Sequence, residues 1–234
     1  MLVRYLATVL LLTPYASCGA PRSTDVVFYV VDGYRFSWAD RRAIERIADT
    51  TAVEVGKVLP ALPARVTLRV RAGKDVIVET GETGEVHPPD VVYWTLDPGR
   101  REGVTALVTT RLRPSLVHHF HHLVREATVG SSHTLMEEAI AEGLATVFER
   151  DFAGATAPWG AYPANVDAWV TEFRSLPRDA PHDRWMVRHP DGRRWIGYKV
   201  GTYLVDRAMK ASGRSAAALV SVPTDDILRM ADNH

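Results

Sequence analysis

The residue order predicts an α+β fold, with a sheet in the N-terminal part and helices in the C-terminal part. Three observations carry this. Residues 25–96 contain short runs rich in β-branched and aromatic residues, punctuated by prolines and glycines. From Pro114 onward, apolar residues recur at helical spacing instead. Between the two regions lies no linker long or polar enough to divide them, so residues 24–234 read as a single domain.

Taken in order, Asp25–Val31 (DVVFYVV) is the first strand. Ser37 to Val58 follows as an amphipathic helix with Ala43, Ile44, Ile47, Val53 and Val58 near helical spacing. Arg65–Val70 alternates Val66, Leu68 and Val70 against Arg65, Thr67 and Arg69, which marks a half-buried strand. Asp75–Glu79 is expected as its antiparallel partner across Ala72-Gly73-Lys74, and Val91–Leu96 (VVYWTL) as a further strand, giving a mostly antiparallel sheet. Helices are expected at Pro114–Thr128, Thr134–Asp151, Ala164–Leu176, Arg194–Ser212 and Thr224–Asp232. Thr134 and Glu137 form a capping box at the second of these.

Composition limits what such a domain does. Of 234 residues, 46% are hydrophobic and 24% charged, which excludes both a disordered chain and a membrane bundle. Lys+Arg and Asp+Glu are 28 each, a balance that argues against a nucleic-acid partner bound through a broad basic face. Cys18 is the only cysteine, so an intrachain disulfide is excluded.

The first twenty residues, MLVRYLATVLLLTPYASCGA, have a single positive charge at Arg4, a short apolar run from Tyr5 to Leu12, and small residues from Ala16 to Ala20. This is the layout of an export signal, and the run is too short to span ~30 Å of hydrocarbon as a helix. With Ala16-Ser17 before Cys18, the segment resembles a bacterial lipoprotein signal. That resemblance implies a signal at 1–18, a lipid anchor at Cys18, and a place in the periplasm or cell envelope. Simple secretion with cleavage near Ala20 is the alternative.

Nine histidines occur in the chain, and four of them fall within residues 118–122 (His118-His119-Phe120-His121-His122). On a helix, His118 and His122 are four apart and share a face, roughly 5–6 Å apart at Cβ. Two imidazoles so placed can grip one metal ion with bonds of ~2.0–2.1 Å. Leu116, Val117, Phe120, Leu123 and Val124 would anchor the opposite face. Read alone, the cluster is either a metal-gripping pair or a solvated histidine face. Glu142, twenty positions after His122, is a candidate third ligand, its alternative being a solvated surface residue: it lies opposite the apolar stripe Met136, Ile140, Leu144, Val147 and Phe148. Gly143 beside it costs ~1 kcal/mol in a helix relative to Ala, which a close approach of another backbone would justify. Two His and one Glu form a catalytic type of zinc set, with the fourth position left for water.

Three segments carry a resemblance: Leu116–Arg125 (LVHHFHHLVR), Ala141–Ala145 (AEGLA) and Gly197–Gly201 (GYKVG). Their order and spacing resemble the zincin metallopeptidases with a Glu third ligand. More narrowly, they resemble a bacterial domain-of-unknown-function family of predicted zinc-dependent proteases, over roughly residues 90–230. The resemblance implies a zincin-like fold, a Zn²⁺ ion held by His118, His122 and Glu142, and hydrolysis of a peptide or protein substrate. Metzincins are excluded, because their third His would fall at Thr128. One departure is central. In H-E-x-x-H the Glu after the first His is the general base, and here that place is taken by His119. The expected catalytic residues are therefore His119 and Tyr198, the latter as an oxyanion-stabilising hydroxyl. Glu138 or Glu126 is a substitute base in one variant of the reading. A catalytically impaired zincin-like lipoprotein, acting by metal binding or interaction, is the competing function. Glu126 and Glu137 are either surface residues or partners of the ligating imidazoles. His182 and His189 are placed in a loop with Trp185 and several arginines. The oligomeric state is left open.

Overall fold

The computed structural model describes residues 22–233; the export segment and Cys18 lie outside the described residues. Four strands, β1 (Ser23–Phe28), β2 (Arg65–Ala72), β3 (Glu82–His87) and β4 (Val91–Leu96), form one sheet in the order β1-β2-β4-β3. The first long helix, α1 (Trp38–Val58), connects β1 to β2. It is capped by Ser37, whose hydroxyl accepts from the Asp40 amide at 3.1 Å.

The α+β class is as expected, but the sheet is not mostly antiparallel. β1 pairs β2 in parallel and β2 pairs β4 in parallel; only β3 and β4 are antiparallel. The alternation in β2 suggested the wrong pairing for a physical reason. Val66, Leu68, Val70 and Ala72 are buried while Arg65 and Arg71 are exposed. A sheet with one wet face is usually antiparallel, whereas a parallel one is usually covered on both faces. Here α1 packs on β1, and the next helix packs on β3 and β4. The outer face is a polar ladder, with Arg71 Nε donating to Thr95 Oγ1 at 2.8 Å and the Arg69 guanidinium over the Tyr93 ring. The expected strand Asp75–Glu79 is a second correction. Those residues turn, with only an Ile77–Glu82 bridge, and the antiparallel strand is β3, which forms a hairpin with β4 rather than with β2.

Helix α2 (Val104–Val129) starts ten residues before Pro114, which lies inside it. A proline is best tolerated in the first turn, so the sequence favours a start there. Packing overrides that preference. Leu107, Val108 and Leu112 are buried, Thr105 Oγ1 donates to Asp40 Oδ1 at 2.9 Å, and Arg113 pairs with Glu54 at 3.0 Å, all tying the first turns to α1.

The remaining helices are α3 (Leu135–Phe148), α4 (Val166–Arg174), α5 (His182–Met186), α6 (Ile196–Ser212), α7 (Ala216–Leu219) and α8 (Thr224–Asp232). Thr134 caps α3 as expected, accepting from the Glu137 amide at 3.2 Å. The Glu137 carboxylate closes the box one residue early, on the His133 amide at 2.8 Å. After Phe148 the helix widens into a π-helical turn at Glu149–Ala153. α3 and α6 cross in close contact at Gly143 and Gly201. Arg125, 3% exposed, donates to the carbonyls of Val220 and Val222 at 3.1 Å each and to Thr224 Oγ1 at 3.0 Å, so α2 is clamped to the C-terminal segment. One contiguous apolar core runs from Phe36 to Ala231 through both halves. Among the described residues, no helix is long and apolar enough to cross a membrane.

Candidate metal centre

α2 and α3 bring His118, His122 and Glu142 to one point. His118 Nε2 lies 3.1 Å from Glu142 Oε2 and 3.1 Å from His122 Nε2, and His122 Nε2 lies 3.3 Å from Glu142 Oε2. A tetrahedral zinc with bonds of ~2.0–2.1 Å needs donor atoms about 3.3 Å apart, so this triangle has the size of one zinc face. Two ring nitrogens facing each other beside a carboxylate oxygen form a donor set in search of a cation. Among the described residues these three form the group of His, Cys, Asp and Glu whose ligand atoms lie close enough to hold a metal ion.

The π-turn supplies a residue that the sequence did not single out. Glu149 Oε2 sits 3.2 Å from His118 Nδ1. Such a carboxylate keeps the proton on Nδ1 and leaves the Nε2 lone pair for the metal. The role suggested for Glu126 or Glu137 therefore belongs to Glu149: Glu137 is spent on the helix cap, and Glu126 lines the cavity. The signal that could have found it is weak. Glu149 is seven positions after Glu142, two helical turns along the same face, but only the widened turn delivers it to His118. Burial disfavours charge on His118, yet the hydrogen bonds and charges of Glu142 and Glu149 outweigh this and raise its pKa, so a metal ion binding at Nε2 would displace a proton there. Burial likewise opposes the Glu142 carboxylate, and the charges and hydrogen bonds of His122 and His118 hold it well below the ordinary range.

His119 is not a member of the donor triangle. Its Nδ1 donates to the Ser115 carbonyl at 2.6 Å, and its ring lies on the backbone of the edge strand β3. A Cβ on Gly84 would fall 2.2 Å from His119 Cε1, so the glycine is what admits the ring. Burial, then the neighbouring charges of His118 and His122, push its pKa down to about 3. His121, flanking the pair, is a core residue: fully buried, packed on Phe148 and held neutral by burial.

The triangle opens into a cavity of about 440 Å³ lined by β3, α2, α3, residues 157–159 and Tyr198. Tyr198 is placed in the cavity by α6, and burial, followed by the charges of Glu142 and Glu138, raises its pKa well above the usual value, so the hydroxyl keeps its proton. Glu138 also faces the cavity and pairs with His182 Nε2 at 2.6 Å. His182 thus opens the short helix α5 rather than sitting in a loop, while His189 pairs with Asp191 at 2.9 Å and does not line the cavity. A further carboxylate, Glu82 of β3, lines the cavity unannounced by any motif. It is 6% exposed, accepts from Trp94 Nε1 at 2.9 Å, and has its pKa raised by burial.

A helix with two histidines one turn apart, a glutamate on the following helix, and an antiparallel edge strand along the cleft make a site that could hold a metal ion, consistent with a zincin-like family. Comparison with known families matches residues 43–229 to the family described as predicted Zn-dependent protease (DUF2268). The chain belongs to that family. No curated protein and no solved structure gives a significant match.

Proposed function

We propose that the chain is a zinc-dependent hydrolase acting on peptide bonds, with His118, His122 and Glu142 holding the ion. The observation that carries this is the donor triangle, with edges of 3.1, 3.1 and 3.3 Å, standing at the floor of an open cavity. A zinc ion so held supplies an activated water and polarises a carbonyl. Glu149 fixes the tautomer of His118, and Tyr198, kept protonated, donates to oxygen that gains charge during the reaction. His119 occupies the position of the general base. Its Nδ1 is committed to Ser115, which leaves Nε2 as the acceptor.

That same commitment favours a second reading, a metal-binding or interaction protein with little turnover. A ring fixed by Ser115 and seated on Gly84 lacks the freedom of a Glu carboxylate to reach a water. Hydrolysis of casein or a mixed-peptide substrate, compared at equal zinc occupancy, separates the two. Low wild-type activity is expected, with His119→Glu raising it toward the ~10²–10⁴-fold that general-base catalysis contributes. Efficient wild-type turnover that His119→Glu abolishes would make His119 the working base. Loss of zinc from metal-replete wild-type protein would overturn the function altogether.

The proposed place of action is the cell envelope, through lipid attachment at Cys18. Two acyl chains suffice for stable attachment where one does not. Cys18→Ser should move the protein from the membrane fraction to the soluble fraction, or block its processing. An unchanged distribution argues for simple secretion or no export.

A further inference from the structure

We infer that the metal cavity contains an aromatic subsite, lined by Ile77, Trp159 and Tyr198 and backed by Trp195, which takes an aromatic side chain of the substrate beside the bond to be cleaved. This rests on the hydrolase reading above and adds a substrate class to it.

These residues form an apolar group of their own. Trp159 and Trp195 are buried with Ala157, and Ile77 and Tyr198 pack against them, Tyr198 joining the group to the main core. The three rings make a triangle, with centroids 5.3 Å apart for Trp159–Trp195, 5.8 Å for Trp159–Tyr198 and 5.5 Å for Trp195–Tyr198. Their planes are tilted by 57°, 59° and 82°, the geometry that aromatic pairs prefer. Ile77, Trp159 and Tyr198 line the cavity. Tyr198 and the metal-site residues His118, His122 and Glu142 line the same cavity, so the aromatic wall and the donor triangle face one space. A side chain lodged on this wall would carry its own backbone to the donor triangle.

Two local features show that the wall is built rather than incidental. Trp195 holds a left-handed backbone, φ 59°, a conformation that is unfavourable for a bulky residue and persists only when its surroundings impose it. Its surroundings do so here: its Nε1 donates to Glu79 Oε1 at 3.4 Å, and Arg194 pairs with the same carboxylate at 2.5 Å, fastening the turn that carries Ile77 to the start of α6. Trp159, 8% exposed, has its indole N–H buried without a hydrogen-bond acceptor, a cost that a packed aromatic group must outweigh. The rest of the cavity is polar, with Glu85, Glu126 and Glu138 beside Arg111 and Arg125, so the aromatic wall is its apolar side.

The test uses the zinc-loaded chain and two probes that chelate zinc alike but differ in side chain, phenylalanine hydroxamate and glycine hydroxamate, measured by titration calorimetry. Burying a phenyl ring should make the phenylalanine compound roughly tenfold tighter or more on wild type. In Trp159→Ala that preference should fall to within about threefold, with zinc content unchanged. Ile77→Ser, in a turn outside the main core, should reduce it too, and decides the matter if Trp159→Ala does not fold. Equal affinity on wild type, a preference kept by the variants, or no binding of either probe to zinc-loaded protein overturns the subsite while the metal centre stands. Failure of the chain to hold zinc overturns the hydrolase reading and the subsite with it.

Discussion

His122→Ala is expected to strip the chain of zinc while leaving its fold in place. The three donors make a triangle in which each edge is shared, and His122 Nε2 closes two of the three edges, at 3.1 and 3.3 Å. Removing it leaves one nitrogen and one oxygen, one protein ligand fewer than a catalytic zinc site uses. The affinity loss should exceed the roughly 10–100-fold that follows loss of an outer hydrogen-bond partner. Glu149→Gln provides that smaller effect for comparison, since it keeps the shape at His118 Nδ1 and removes the charge. His118→Ala is a less clean variant. It leaves Glu142 and Glu149, both largely buried, without the group that separates and neutralises them, which costs about 3–5 kcal/mol in a buried ion pair. The measurements are zinc content by atomic emission, affinity by chelator competition, and melting in the presence of chelator. One zinc per chain in His122→Ala at wild-type affinity would refute the assignment of the ligands.

The second large effect is expected at Gly201. A Cβ built there falls 1.7 Å from the Ala139 carbonyl oxygen on α3, and one built on Gly143 falls 2.2 Å from the Gly201 carbonyl carbon. Both obstacles are backbone of an opposing helix, so neither can rotate away. Gly→Ala within a helix normally gains about 1 kcal/mol in propensity. Here overpacking, typically about 1–3 kcal/mol and more when backbone must move, acts against it and wins. With the cost at the upper end of that range, because backbone opposes backbone, Gly201→Ala should lower stability by about 2 kcal/mol net, or about 4–8 °C in Tm for a chain of this size. Function should fall further than stability does, because α3 carries Glu142 and α6 carries Tyr198, and forcing the helices apart separates them. Gly56→Ala in α1 is the contrast. There the added methyl meets the flexible Arg22 side chain, and the net change should stay within about 1 kcal/mol. Melting curves of the three proteins decide it: a Gly201→Ala protein as stable as wild type would mean that the crossing is looser than these contacts require.

Much of this was legible in the residue order, and the pattern of what was not has a cause. Helical spacing of apolar residues marked α1, α3, α4, α6 and α8, because a helix's periodicity is a local property of the chain. The same periodicity placed His118 and His122 on one face and Glu142 on another helix's bare side. Gly143 announced a close crossing, since a small residue in a helix interior costs stability unless something approaches it. Pro114 misled for the converse reason: its local preference for a first turn was outweighed by the packing of Leu107, Val108 and Leu112, which no window around the proline contains.

What the sequence determined by itself, then, is the α+β class, the succession of helices, and the chemical types gathered around His118. Only the tertiary structure decided which strand lies beside which, that two of the three pairings run parallel, and that β3 rather than residues 75–79 forms the edge. It alone decided that Glu149 serves His118 from 31 positions away, that Gly84 makes room for His119, and that Ile77, Trp159 and Trp195 meet beside Tyr198. The physical reason is common to all of these. Periodicity records which side of an element is apolar, but a partner is chosen by long-range packing that must outweigh the entropy of closing the chain between them. That balance belongs to the whole fold and to no stretch of residues within it.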